Sequence, residues 1–222
     1  MQTDPGLDGP SLAPLTGGPA RKLVLLLHGY GADGDDLIAL AREWQADLPE
    51  AAFVAPNAPS YLPGFTVSGR QWFPLDQRNP AEYRIGAEAA APDIDRFIGV
   101  HLTQLGLNYC DLALVGFSQG TMMALQVGLH LKQAPAAIIG YSGLLPGLDR
   151  LGPLHSATPP NVLLVHGSDD DVVESYHSQA AFERLSELGI PTQIKICPDV
   201  GHWIDAEGLA LGASFLRKTL AV

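Results

Sequence analysis

From residue 21 onward, apolar runs of strand length alternate with amphipathic stretches of helical length. Residues 23–27 (Leu-Val-Leu-Leu-Leu) read as a strand buried on both faces, because a strand with one wet face alternates apolar and polar positions. Residues 51–54, 112–115, 136–141, 162–165 and 192–197 give five more strands. Between them, Leu37, Ile38, Leu40, Ala41 and Trp44 form one face of a helix reaching about Leu48, with Asp35 or Asp36 as its cap. Ile94, Phe97, Ile98, His101, Leu102 and Leu105 recur at three- and four-residue spacing in a helix over 85–105, which Pro92 interrupts or begins. Further helices are expected over 119–132, 175–188 and 204–220. Regular alternation of strands and helices argues for an α/β fold: a mostly parallel sheet with helices on both faces and the site at the carboxyl ends of the strands.

Two stretches break the pattern. Residues 1–20 are rich in glycine and proline with little to pack, and read as a flexible arm ahead of a single domain over 21–222. From Ser60 to Tyr83 periodicity is lost while aromatics and prolines accumulate, which suggests a binding loop or lid lining a pocket. Tyr61, Phe65, Trp72 and Phe73 are therefore candidate substrate contacts.

Composition narrows the function classes. At 222 residues and 46% hydrophobic, the chain has material for one substantial core. A net charge of −11, with 13 Lys and Arg that form no run, argues against a nucleic-acid partner. No apolar run approaches the roughly 18 residues of a membrane span, and the first twenty residues do not resemble a secretory signal. The expected compartment is the cytoplasm, without stable membrane insertion. Cys110 and Cys197, each beside or within a predicted strand, read as buried thiols.

The candidate chemistry begins at Gly116-Phe117-Ser118-Gln119-Gly120, between a predicted strand and a predicted helix. That context makes Gly-x-Ser-x-Gly a nucleophile elbow, a sharp turn that lifts the serine hydroxyl above the sheet with a helix N-terminus behind it. Ser118 then needs a base and an acid, which this fold supplies later in the chain, acid first. His202 in Gly201-His202-Trp203, between the last strand and last helix, fits the base; His101, His130, His155 and His177 lack such a turn. The acid lies among Asp169, Asp170 and Asp171 after the strand at 162–165, and spacing alone does not choose. Backbone N–H groups of Gln119 and of the loop His28-Gly29-Tyr30-Gly31 would form the oxyanion hole. His28 and His166, at strand ends before glycine, read as loop-holding residues.

These segments resemble the bacterial carboxylesterase and acyl-protein thioesterase (phospholipase/carboxylesterase) family of α/β-hydrolases from about Lys22 to Leu220. The resemblance rests on Leu27-His28-Gly29-Tyr30-Gly31-Ala32-Asp33-Gly34, Pro56-Asn57-Ala58-Pro59, Arg70-Gln71-Trp72-Phe73, the Phe-Ser-Gln of the elbow, His166-Gly167-Ser168-Asp169-Asp170-Asp171-Val172-Val173 and Gly201-His202. It implies that Asp170 is the acid, that Tyr30 and Gln119 supply the oxyanion N–H groups, and that Arg70 to Phe73 lie near the acyl pocket. It also implies a serine carboxylesterase for small to medium acyl esters, with acyl-protein thioesterase or lysophospholipase as the alternative. No metal or cofactor is implied, and a homodimer is allowed. Tyr30 departs from the leucine frequent in the family, which would narrow the pocket mouth or make it more polar, and Glu174 replaces a proline. A non-catalytic binding protein on the same fold is the remote alternative, disfavoured by the intact Ser118, Asp170 and His202.

Overall fold

The computed structural model describes residues 6–64 and 69–220. Seven strands form one sheet in the order β1-β3-β2-β6-β7-β8-β9: β1 Ser11–Leu12, β2 Lys22–Leu27, β3 Ala51–Val54, β6 Leu112–Phe117, β7 Ala137–Tyr141, β8 Asn161–Gly167 and β9 Thr192–Cys197. All neighbours pair in parallel except β1, which lies antiparallel on β3. β4 (Ser60–Tyr61) and β5 (Arg70–Gln71) form a separate two-stranded ribbon. The helices are α1 Gly34–Trp44, α2 Pro80–Leu105, α3 Gln119–His130, α4 Tyr176–Glu187 and α5 Ala206–Thr219.

Alternate residues of the central strands feed two cores, which is why these strands are apolar throughout. Leu25, Leu114, Ile138 and Leu164 face Ile94, Phe97 and Ile98 of α2, Met123 and Leu125 of α3 and Leu185 of α4. Val24, Leu26, Val115, Ile139 and Leu163 face Ile38 and Trp44 of α1 and Phe215 and Leu216 of α5. Among the described residues, no helix is long and apolar enough to cross a membrane.

Four expectations change. The segment from Leu7 is not loose: Leu7 is buried, Ser11 and Leu12 pair with Val54 and Phe53, and the carbonyls of Asp8 and Pro10 accept the N–H groups of Asn57 and Ala55. A short glycine- and proline-rich piece thus covers the edge strand β3. Asp33, not Asp35 or Asp36, caps α1, and Asp36 completes the capping box by accepting the Asp33 N–H. α2 runs unbroken through Pro92, starting at Pro80, where a missing N–H costs nothing, with Asn79 as its cap. Cys197 is buried, but Cys110 is exposed.

Candidate active site

β6 leads into Ser118, whose φ of 53° and ψ of −116° lie in a region that side chains rarely adopt. Its N–H donates to Tyr141 O at 2.9 Å, while its own carbonyl accepts the N–H groups of Thr121 and Met122 at the start of α3. The turn is possible only with the flanking glycines. A Cβ on Gly116 would lie 2.2 Å from Gly120 O, and one on Gly120 would lie 1.8 Å from Leu27 O.

After β8 the chain turns so that Asp170 points inward while Asp169 and Asp171 stay exposed. Asp170 Oδ1 accepts the N–H groups of Val172 and Val173 at 3.0 and 2.8 Å. Oδ2 lies 2.7 Å from His202 Nδ1 and 3.2 Å from His166 Nε2. Burial on its own would raise the Asp170 carboxyl, but the bonds from Val173, His202 and Val172 outweigh it and hold the group below the ordinary carboxylate range. With the Nδ1 proton directed at Asp170, Nε2 of His202 is the free acceptor of the ring. The His202 ring also packs on Phe117, the residue before Ser118, with centroids 4.9 Å apart.

His166 holds the loop after β8 through Val173 O, as its position suggested, and is also a partner of Asp170, which the sequence did not disclose although the spacing of four residues is a usable signal. Its Nε2 faces both Val173 O, at 2.7 Å, and Asp170 Oδ2, so it carries the proton, and Nδ1 accepts the Ser178 hydroxyl at 2.7 Å. Burial lowers its pKa and keeps the ring neutral.

On the opposite side, the loop after β2 packs against the elbow: a Cβ on Gly29 would lie 3.3 Å from Ser118 Cβ. His28 holds this loop, as its position suggested. Its Nδ1–H donates to Gly29 O and its Nε2 accepts the Ala58 N–H at 3.0 Å, an arrangement that needs the neutral ring that burial favours. Among the described residues, the N–H groups of Tyr30 and Gln119 have no protein partner. Of the candidate substrate contacts, Arg70 and Tyr61 sit together, the guanidinium 4.0 Å above the ring and Nη2 donating to Tyr61 Oη at 3.0 Å. Trp72 and Phe73 are buried in the core, and Phe65 lies outside the described residues.

A cavity of about 460 Å³ begins beyond β7, where Leu144, Leu145 and Leu148 face Tyr83 of α2 and Tyr176 and Ala180 of α4. Gly143, the residue before Leu144 of its lining, packs against the elbow backbone, where a Cβ would lie 2.7 Å from Ser118 O.

The sequence matches the phospholipase/carboxylesterase family over residues 15–220. It is 30% identical over 208 residues to esterase YpfH of Escherichia coli, covering 91% of this chain and 84% of that protein. An acyl-protein thioesterase 1 of Gibberella zeae is 26% identical, covering 89% of this chain and 90% of the relative. The crystal structure of esterase PE8 superposes with a TM-score of 0.91 at 44% identity, covering 96% of this chain and 99% of that one. With the sheet order, the strained elbow serine and this match across nearly the whole chain, the protein belongs to the phospholipase/carboxylesterase family of α/β-hydrolases and is a serine hydrolase of carboxylic esters.

Proposed function

We propose that Ser118 is the nucleophile, His202 the general base and then acid, and Asp170 the residue that holds the His202 tautomer. The observation that carries this reading is a serine in a strained strand-to-helix turn whose neighbour Phe117 packs on an imidazole held at Nδ1 by a buried carboxylate. Ser118 Oγ attacks the ester carbonyl carbon while its proton passes to His202 Nε2, and the carbonyl π pair becomes an oxyanion facing the N–H groups of Tyr30 and Gln119. Collapse expels the alcohol, which takes the proton from His202. Water, activated in turn by His202, then releases the acid and restores Ser118.

The cavity behind Leu144 and Leu145 is the acyl or alcohol slot in this reading. Its volume falls in the roughly 300–1,000 Å³ range of small-molecule sites and supports small to medium acyl esters. Acyl-protein thioesterase relatives favour thioesters as a second substrate class. Ser118→Ala, assayed with a chain-length series of p-nitrophenyl esters beside an acyl-CoA and a lysophospholipid, tests both points. Loss of all turnover in the variant and a wild-type optimum at short to medium chains are expected. Undiminished turnover would refute the nucleophile, and a strong preference for long-chain lipids would refute the substrate class.

A further inference from the structure

A chain of hydrogen bonds joins the start of α3, directly after Ser118, to the loop after β2 through the side chain of Gln119. This side chain is fully buried. Its Oε1 accepts the Trp72 N–H at 3.0 Å and its Nε2–H donates to Phe73 O at 2.7 Å, so one N–H and one C=O partner fix the amide's orientation. From Trp72 the connection continues to the loop after β2 along two routes. The indole Nε1–H donates to His28 O at 2.9 Å. Two residues earlier, Arg70 N–H donates to Ala32 O at 2.9 Å and Arg70 O accepts the Gly31 N–H at 2.8 Å. Tyr30 is therefore flanked on both sides by residues tied to the 70–73 segment, which is tied in turn to Gln119.

We propose that the Gln119 side chain is a positioning residue for the oxyanion hole, setting the separation between its own backbone N–H and that of Tyr30. This rests on the reading that Ser118 is the nucleophile and that these two N–H groups receive the oxyanion. Such donors act only when both lie about 2.7–3.1 Å from the developing charge, and a misplacement of about 1 Å can cost roughly 100-fold in rate. An apolar side chain of similar length would leave the Trp72 N–H and Phe73 C=O buried without partners. The 70–73 segment would then move to satisfy them and take the Tyr30 loop with it.

The test compares wild type, Ser118→Ala, Gln119→Met, Gln119→Glu and Trp72→Phe on p-nitrophenyl butyrate. A trifluoromethyl ketone serves as the probe that forms the tetrahedral oxyanion on Ser118. Gln119→Met should lower kcat by roughly 10- to 100-fold and weaken the ketone by a matching factor, with KM changed less than about twofold. Trp72→Phe, which removes the bond to His28 O and trims the ring packed on His28 but keeps the backbone bond to Gln119, should move both quantities the same way by less. Gln119→Glu adds a readout that a merely structural role would not move. A buried carboxyl is protonated more readily than an exposed one, and its neutral form can accept from the Trp72 N–H and donate to Phe73 O. Its kcat relative to wild type should therefore climb as pH falls from about 8 to about 6, while the Gln119→Met ratio stays flat. A raised KM with kcat and ketone affinity unchanged, or a pH-independent Gln119→Glu ratio, would overturn the inference while Ser118→Ala is inactive. Turnover persisting in Ser118→Ala would instead overturn the underlying reading. If Gln119→Met does not fold, the Gln119→Glu profile and Trp72→Phe decide the matter.

Discussion

The two sides of Ser118 are held by different chemistry. After β8 and β9, one buried carboxylate gathers two backbone N–H groups and two imidazoles, so its geometry depends on charge. After β2 and β5, neutral groups do the holding: the Gln119 amide, the Trp72 indole, backbone pairs of Arg70 and a His28 kept uncharged by burial. In the proposed mechanism the side that moves the proton is therefore retuned by altering one charge, whereas the side meant for the oxyanion responds to the loss of a neutral bond or to forcing a proton onto His28.

The largest expected break is on the charged side. His202→Ala should lower kcat by about 10⁵- to 10⁶-fold in ester hydrolysis, since a triad acts as a unit. Asp170→Asn should cost about 10⁴-fold, because an amide can present an N–H to His202 and favour the wrong tautomer; activity within tenfold of wild type would remove Asp170 from its role.

A smaller effect is expected from His166→Asn. Losing its N–H to Oδ2 removes one of the four groups that fix the Asp170 carboxylate. kcat should fall by roughly 10-fold, well short of Asp170→Asn. An unchanged kcat would make His166 a packing residue only.

The buried imidazoles, one on each side, predict a pH effect on stability. His28 and His166 have folded-state pKa values lowered, by burial first, below that of the unfolded chain. The unfolded state therefore takes up protons that the folded state resists, and stability falls as pH drops below about 6.5 toward the folded pKa values. Asp170 adds a loss only at much lower pH, where its depressed carboxyl is finally protonated. Thermal melts should show Tm declining between about pH 7.5 and 5.5, less steeply in His166→Asn; a flat Tm would contradict the neutral buried imidazoles. The smallest effect belongs to Arg70→Ala, whose side chain meets Ala58 O and Tyr61 at the surface ribbon among the described residues. KM should change by no more than severalfold and kcat little; a kcat loss above about tenfold would place the guanidinium in catalysis.

What was legible in the sequence follows from how local its cause is. The apolar strands, the elbow with its two glycines and the late Gly201-His202 turn are specified by neighbouring residues and could be read directly. Asp170 could not be separated from Asp169 and Asp171 by spacing, because all three suit the turn; only resemblance to the family picked out the one that the chain buries. The segment from Ser60 to Tyr83 carried aromatics without a period. Its geometry is set by partners 40 or more residues away, such as Trp72 on His28 and Gln119, so Trp72 and Phe73 are core while Tyr61 is exposed and Tyr83 lines the cavity. The segment from Leu7 to Leu12 was misread for the same reason, since its fold comes from β3 rather than from itself. The Pro92 break failed because the twenty-six residues of α2 pack a long apolar face that tolerates one missing N–H.

In the proposed mechanism all turnover passes through Ser118 Oγ. The decisive experiment is labelling with a fluorophosphonate, followed by peptide mass spectrometry and parallel assay of the remaining esterase activity. A single adduct on the peptide containing Ser118 is expected, with activity lost in step with labelling. An adduct on another residue, or activity that persists once Ser118 is fully modified, would contradict it.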